Sequence, residues 1–172
     1  MTMENAANQN ERNPDIDRIG TAMARMRLMI GRRYIGRVAI ARLGAGMELS
    51  DLDVLSLVNR LGRDREITIG TVAENMRVDH SRASRVVADL VKRGMLKREV
   101  SQEDARRTIV ALTAEGRSYV DRVQDIKQDV LSTALADWPA EDIAEFARLY
   151  NRFMLSMEQQ ANAFEEEQSR SS

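Results

Sequence analysis

The chain has 172 residues, 43% of them hydrophobic and 31% charged, with a formal net charge of −1, no cysteine and a single histidine. That length and balance suit one globular domain with an appended element and argue against global disorder. Disulfides, thiolate metal sites and cysteine nucleophiles are excluded outright, and His80 alone cannot build a histidine-based metal centre.

No apolar run follows a basic start, and no segment approaches the roughly 18 apolar residues of a membrane span, so a cytoplasmic protein without a membrane partner is expected. No metal or cofactor is expected. Residues 1–14 lack apolar periodicity, and residues 163–172 are acidic and serine-rich; both are expected to be flexible tails. Charge is unevenly placed. Residues 77–98 hold seven basic side chains against two acids, a net of +5, whereas residues 137–172 hold three arginines against eight acids, a net of −5. The near-neutral average hides a basic middle and an acidic C-terminal region.

From Ile16, apolar residues recur every three or four positions through Met23, Met26, Ile30, Tyr34 and Val38, the stripe of a helix ending near Gly44. Gly20, Gly31 and Gly36 inside it predict a bend or a close packing contact. Ser50 is expected to cap a second helix, with Leu52, Leu55 and Val58 inward, stopping near Gly62. Thr68 then suits the cap of a short helix through Met76. Asp79 suits the cap of the next, with Ala83, Val87 and Leu90 buried and Gly94 as its stop. Two short helices joined by a three-residue turn, the second basic on its outer face, form a helix-turn-helix pattern.

Past Gly94 the period changes. Met95–Val100 and Thr108–Leu112 are β-prone runs around a charged tip, REVSQEDARRT (98–108), and read as a hairpin. Helix resumes at Thr113 with a stripe through Leu135, and Trp138-Pro139 breaks it. A last helix carries Phe146, Tyr150, Phe153 and Met157 on one side. The fold class expected is mainly α, a winged helix-turn-helix over 49–112 with terminal helices over 15–48 and 113–162. Those terminal helices either cap their own monomer or pair with a second copy in a homodimer.

At this level of detail the chain resembles MarR-type transcriptional regulators. TIGTVAENMRVDHSRASRVVADLVKRGML resembles that family's helix-turn-helix, and EDARRTIVALTAEG resembles its wing and the start of the following helix. Arg77 departs from the pattern, because members often carry glycine in that turn, and a positive φ is costly for arginine. The resemblance implies a homodimer on a pseudo-palindromic double-stranded DNA operator, usually a repressor released by a small, often aromatic, effector.

The residues themselves agree with the DNA half. His80, Ser81, Arg82, Ser84 and Arg85 open the basic helix, where a recognition helix meets base edges; arginine reads guanine in bidentate fashion. Arg82 is expected to contact a base, while Arg85 has base, phosphate or a neighbouring acid open to it. Thr68, Thr71, Lys92, Lys97 and Arg98 are candidates for phosphate contact. At the hairpin tip, Arg106 is expected to enter the minor groove with its guanidinium held by Asp104, and Arg107 to meet phosphate. An effector pocket, placed by the resemblance where the terminal helices meet the DNA-binding part, would draw on Met26, Met29, Ile30, Arg33, Tyr34, Leu55, Val58, Val120 and Val123. Methionines with an arginine suit an aromatic carboxylate or a larger acyl conjugate with an anionic end. No phosphate loop, nucleophile–histidine pair or acid pair supports an enzyme. The alternative is a winged helix used as a protein-interaction module without DNA binding.

Overall fold

A computed structural model describes residues 13–44, 46–101, 104 and 106–170. Its elements are α1 (Pro14–Gly31), α2 (Tyr34–Leu43), α3 (Leu49–Leu61), α4 (Ile69–Met76), α5 (His80–Lys92), β1 (Leu96–Val100), β2 (Thr108–Leu112), α6 (Ala114–Ala134) and α7 (Ala140–Arg170). This is a mainly helical fold with one small hairpin, the winged helix-turn-helix expected. Among the described residues no helix is long and apolar enough to cross a membrane.

The chain divides into two compact units, the first reaching Lys127 and the second starting at Gln128. The first does not end at Leu112, where the DNA-binding part was expected to stop. Tyr119, Val120, Val123 and Ile126 on α6 are buried in the same core as Leu52, Val54 and Leu55 of α3 and Val87 and Leu90 of α5. The hairpin adds Leu96, Val110 and Leu112 to that core. Its strands pair antiparallel, Leu96 opposite Leu112 and Val100 opposite Thr108. The Val110 N–H also donates to the Ile67 carbonyl at 2.7 Å, which fastens the hairpin to the segment before α4.

The single N-terminal helix expected over 16–44 is two. α1 stops at Gly31, and Arg33 adopts a left-handed conformation at φ 53° before α2 begins. The Arg33 guanidinium reaches α3, where it pairs with the Asp53 carboxylate and donates to the Leu49 carbonyl at 3.3 Å. Gly36 explains why α2 lies so near: a Cβ there would stand 3.0 Å from the Leu49 side chain. The expected tail 1–14 overlaps α1, since the Asn13 side chain accepts the Asp15 N–H at 2.9 Å and Pro14 opens the helix. Residues 1–12 lie outside the described residues.

Caps set the remaining starts. Glu48, not Ser50, precedes α3; the Asp51 carboxylate accepts the Glu48 N–H at 2.8 Å and is buried. A buried carboxylate needs a partner. Arg93, just past α5, donates to Asp51 at 3.0 Å, to Asp89 at 3.3 Å and to the Met47 sulfur at 2.6 Å, so one guanidinium joins the start of α3 to the end of α5. The Tyr119 hydroxyl is buried without a hydrogen-bond partner, and burial pushes its pKa up. Thr68 caps α4 and Asp79 caps α5, both as expected.

The second unit is the end of α6 and all of α7, which runs 31 residues to Arg170 through the segment expected as a flexible acidic tail. The Ser169 hydroxyl donates to the Glu165 carbonyl at 2.9 Å, and Arg170 stands 3.9 Å from Glu166 one turn back. Trp138 packs edge-on against Phe146, which stacks on Tyr150. No α7 residue is buried.

Gly116, the glycine of LTAEG, has no αL role. Its Cβ would stand 2.0 Å from the Met95 carbonyl oxygen, so α6 crosses the hairpin base only because that atom is missing. Replacing Gly116 with alanine is expected to cost about 3 kcal/mol, the upper end of core overpacking, read as a lower denaturant midpoint with an unchanged slope.

Candidate nucleic-acid interface and adjoining cavity

α5 has two chemically distinct faces. Ala83, Val87 and Leu90 are buried, whereas His80, Ser81, Arg82, Arg85 and Lys92 are exposed and Ser84 is half-buried. The helix begins at Asp79, whose carboxylate accepts the Arg82 N–H at 2.8 Å. That bond, assisted by the nearby Arg85 charge, holds the Asp79 carboxyl below the ordinary carboxylate range. A depressed folded-state pKa means the cap contributes fully above the unfolded value and is lost as pH falls through the lowered one. The five residues expected at base edges thus share the first turns of one capped helix, with both arginine side chains outward.

Arg77 supplies the turn before it. The residue is left-handed at φ 53° and ψ 47°, the geometry glycine adopts most cheaply, at a cost of roughly 1 kcal/mol for a residue with a Cβ. The Arg77 N–H donates to the Glu74 carbonyl at 3.2 Å and the Val78 N–H to the Ala73 carbonyl at 3.1 Å, closing α4 in a Schellman-like turn. Packing of Val72 and Ala73 in the core fixes the turn whichever residue fills it.

The candidate phosphate contacts separate. Thr68 and Thr71 cap α4 together, the Thr71 N–H donating to the Thr68 hydroxyl at 3.1 Å and the two hydroxyls lying 3.0 Å apart. Lys97 pairs with Glu99 at 2.5 Å across the outer face of β1. Lys92 and Arg98 are exposed.

At the wing, Asp104 does something other than expected. Its carboxylate accepts the backbone N–H of Arg106 at 2.9 Å, and its carbonyl accepts the Arg107 N–H at 2.8 Å. Among the described residues no ion pair joins the Asp104 and Arg106 side chains, so Asp104 shapes the turn rather than clamping the guanidinium. Two residues on, the carboxylate reaches its own backbone more readily than a flexible side chain. The turn is anchored below by Ser101, whose hydroxyl donates to Glu66 at 2.5 Å and accepts the Asp104 N–H at 3.1 Å. Glu66 and Ser101 were missed in the sequence; their polarity next to a strand carries no signal of a contact 35 residues apart. Arg106 and Arg107 are exposed.

Six of the nine residues expected at an effector pocket line one cavity of about 310 Å³: Met26, Met29, Ile30, Arg33, Tyr34 and Val123. α3 contributes Leu52, Asp53 and Ser56 to the wall. Leu55 is instead sealed in the core, Val58 faces a cleft behind the hairpin, and Val120 lines a larger cleft beside α4. Each helical residue advances about 100°, so the α3 face toward α1 is set by positions 52, 53 and 56 and not by 55 and 58. Spacing four residues back from Ser56 would have found Leu52.

Residues 45–107 match the model of the MarR family. Among solved structures, the chain is similar to a MarR family protein from Bacillus stearothermophilus, at 16% identity over 84% of this chain and 96% of that one, with a TM-score of 0.66. It is similar also to the transcriptional regulator Tm0710 from Thermotoga maritima, at 17% identity, 86% and 97% coverage and a TM-score of 0.64. A mutant of MepR from S. aureus bound to an oligodeoxyribonucleotide matches at 15% identity, 80% and 96% coverage and a TM-score of 0.59. No curated protein matches the sequence.

Because Asp104 acts through an acceptor oxygen, Asp104→Asn is expected to keep DNA affinity close to the parent value. Asp104→Ala should weaken binding several-fold, although it removes a negative charge. A fluorescence-anisotropy titration with duplex DNA checks both; equal losses in the two variants would return the side chain to the guanidinium-clamping role.

In its segment 45–107 and in the fold that surrounds it, the chain matches the MarR family of winged-helix regulators, which are DNA-binding proteins and not enzymes.

Proposed function

We propose that the protein is a dimeric repressor that holds a pseudo-palindromic DNA operator and releases it on binding a small aromatic acid or an acyl conjugate of one. The observation that carries the DNA half is the capped α5: its exposed face presents His80, Ser81, Arg82 and Arg85, with Arg106 and Arg107 exposed on the hairpin turn. Arg82 reads a base edge, Arg85 reads a base or clamps phosphate, and Arg106 enters the minor groove beside them. Lys92, Arg98 and Arg107 neutralise phosphates; Thr68 and Thr71 offer a helix N-terminus to another. The MepR relative bound to an oligodeoxyribonucleotide supports the same use of the fold.

Dimerisation is supported by what α1 and α7 leave uncovered. Neither helix has a buried residue, yet Ile16, Ile19 and Leu28 on α1 and Phe146, Tyr150 and Leu155 on α7 are each 46–65% exposed. Apolar side chains at helical spacing without a covering surface are the mark of an association face. A second copy covers them and sets the spacing of two recognition helices. The methionine cavity between α1, α3 and α6 supports the effector site, with Arg33 as the counter-charge for a carboxylate.

Arg82→Ala is expected to cost about 1 to 3 kcal/mol of operator affinity and to relax preference at one base position, whereas a phosphate contact would weaken all sequences alike. Titration of a saturation-mutated operator distinguishes the two. In sedimentation, the protein is expected at twice 19.5 kDa at micromolar concentration, and its affinity for DNA should fall steeply with salt. A monomer, or a salt-insensitive complex with another protein, would favour an interaction module instead.

A further inference from the structure

A second cleft adjoins the methionine cavity and has the opposite chemistry. It encloses about 680 Å³ between α3, the end of α4 and α6, and shares Asp53, Ser56, Val123 and Lys127 with the smaller cavity. Arg60, Arg63 and Lys127 line it. None of the three has a hydrogen bond or ion pair among the described residues, whereas the lining carboxylate, Asp53, is already engaged by Arg33. The Asn59 and Gln124 amides add further hydrogen-bonding groups to the wall.

We infer that this cleft takes the phosphate-bearing head of a conjugate whose apolar body occupies the adjoining methionine cavity. The assignment deepens the effector reading above. Three like charges around one concave space repel each other unless a multiply charged anion or bulk ions neutralise them. Arginine forks meet phosphate oxygens in pairs, and lysine meets them as a point charge. A lone carboxylate would be met by Arg33 and would leave the larger cleft unused. The two spaces together match a ligand with an apolar end and a polyanionic end, and their volumes fall in the range of small-molecule sites.

The test uses the full chain, calorimetry at low salt and three probes: benzoate, inorganic pyrophosphate and benzoyl coenzyme A. Benzoyl coenzyme A is expected to bind about tenfold tighter than benzoate or more. In Arg60→Gln/Arg63→Gln/Lys127→Gln, pyrophosphate binding should disappear and conjugate binding fall by about tenfold, with benzoate unchanged. Equal affinity of the parent protein for benzoate and the conjugate would overturn the assignment, as would unchanged conjugate binding in the triple variant. Circular dichroism checks that the variant folds. If it does not, single replacements at the exposed Arg60 and Arg63 carry the same comparison. DNA affinity without any probe separates this from the regulator reading. Lost DNA affinity with retained conjugate binding assigns the cations to DNA and overturns the site. Conjugate binding by a parent protein that binds no DNA leaves the site standing and removes the repressor.

Discussion

A carboxylate buried at the start of α3 fixes where the reading helix stands. Asp51 closes the first turn of α3 through the Glu48 N–H and is neutralised by Arg93, which also touches Asp89 on α5 and the Met47 sulfur. Removing one partner from such a pair leaves an uncompensated buried charge, a loss of about 3 to 5 kcal/mol. The orientation of α5 relative to α3 is therefore held by charge as well as by Leu55, Val87 and Leu90. Two residues beyond Asp51, Asp53 engages Arg33 from the turn between α1 and α2. A single helical turn of α3 thus faces the reading helix through one carboxylate and the cavity through another. Any ligand that draws Arg33 away acts on the turn that also positions Arg93.

The reading head shows how a left-handed arginine can occupy a glycine position. Arg77 takes the glycine-like conformation, because the Schellman-like bonds and the buried Val72 and Ala73 decide the backbone before the side chain has a vote. The strain is small against the packing that imposes it. Gly116 is the reverse case: its backbone is ordinary, and what matters is the carbonyl lying where a Cβ would be.

Much of the fold was legible because its signals are local. Thr68 and Asp79 announce their helices through side-chain acceptors placed before the first turn, and the change of period after Gly94 marks the hairpin, whose second strand, Thr108–Leu112, is the one expected. Long-range contacts hid the rest. The break at Arg33 depends on Asp53 and Leu49, and the cap of α3 passes to Glu48 because Asp51 lies in reach of Arg93. At the wing the residue types pointed to the right segment, but the role of Asp104 depended on whether its carboxylate meets a backbone N–H or a guanidinium, which composition does not encode. The methionine stripe found the cavity through Met26, Met29 and Ile30; the wrong α3 face was chosen because Leu55 and Val58 are the more apolar residues, and apolar residues favour the core over a ligand wall.

The 31-residue α7, with no side chain buried, has a consequence for abundance. A helix that gains its packing only from a second molecule is stabilised by mass action, so its folding free energy varies with the logarithm of protein concentration. In the proposed dimer, a scarce protein would lose both its α7 packing and the fixed spacing of its two reading helices. Operator occupancy would then rise more steeply than in proportion to the amount of protein, giving the regulator a concentration threshold before any effector is present.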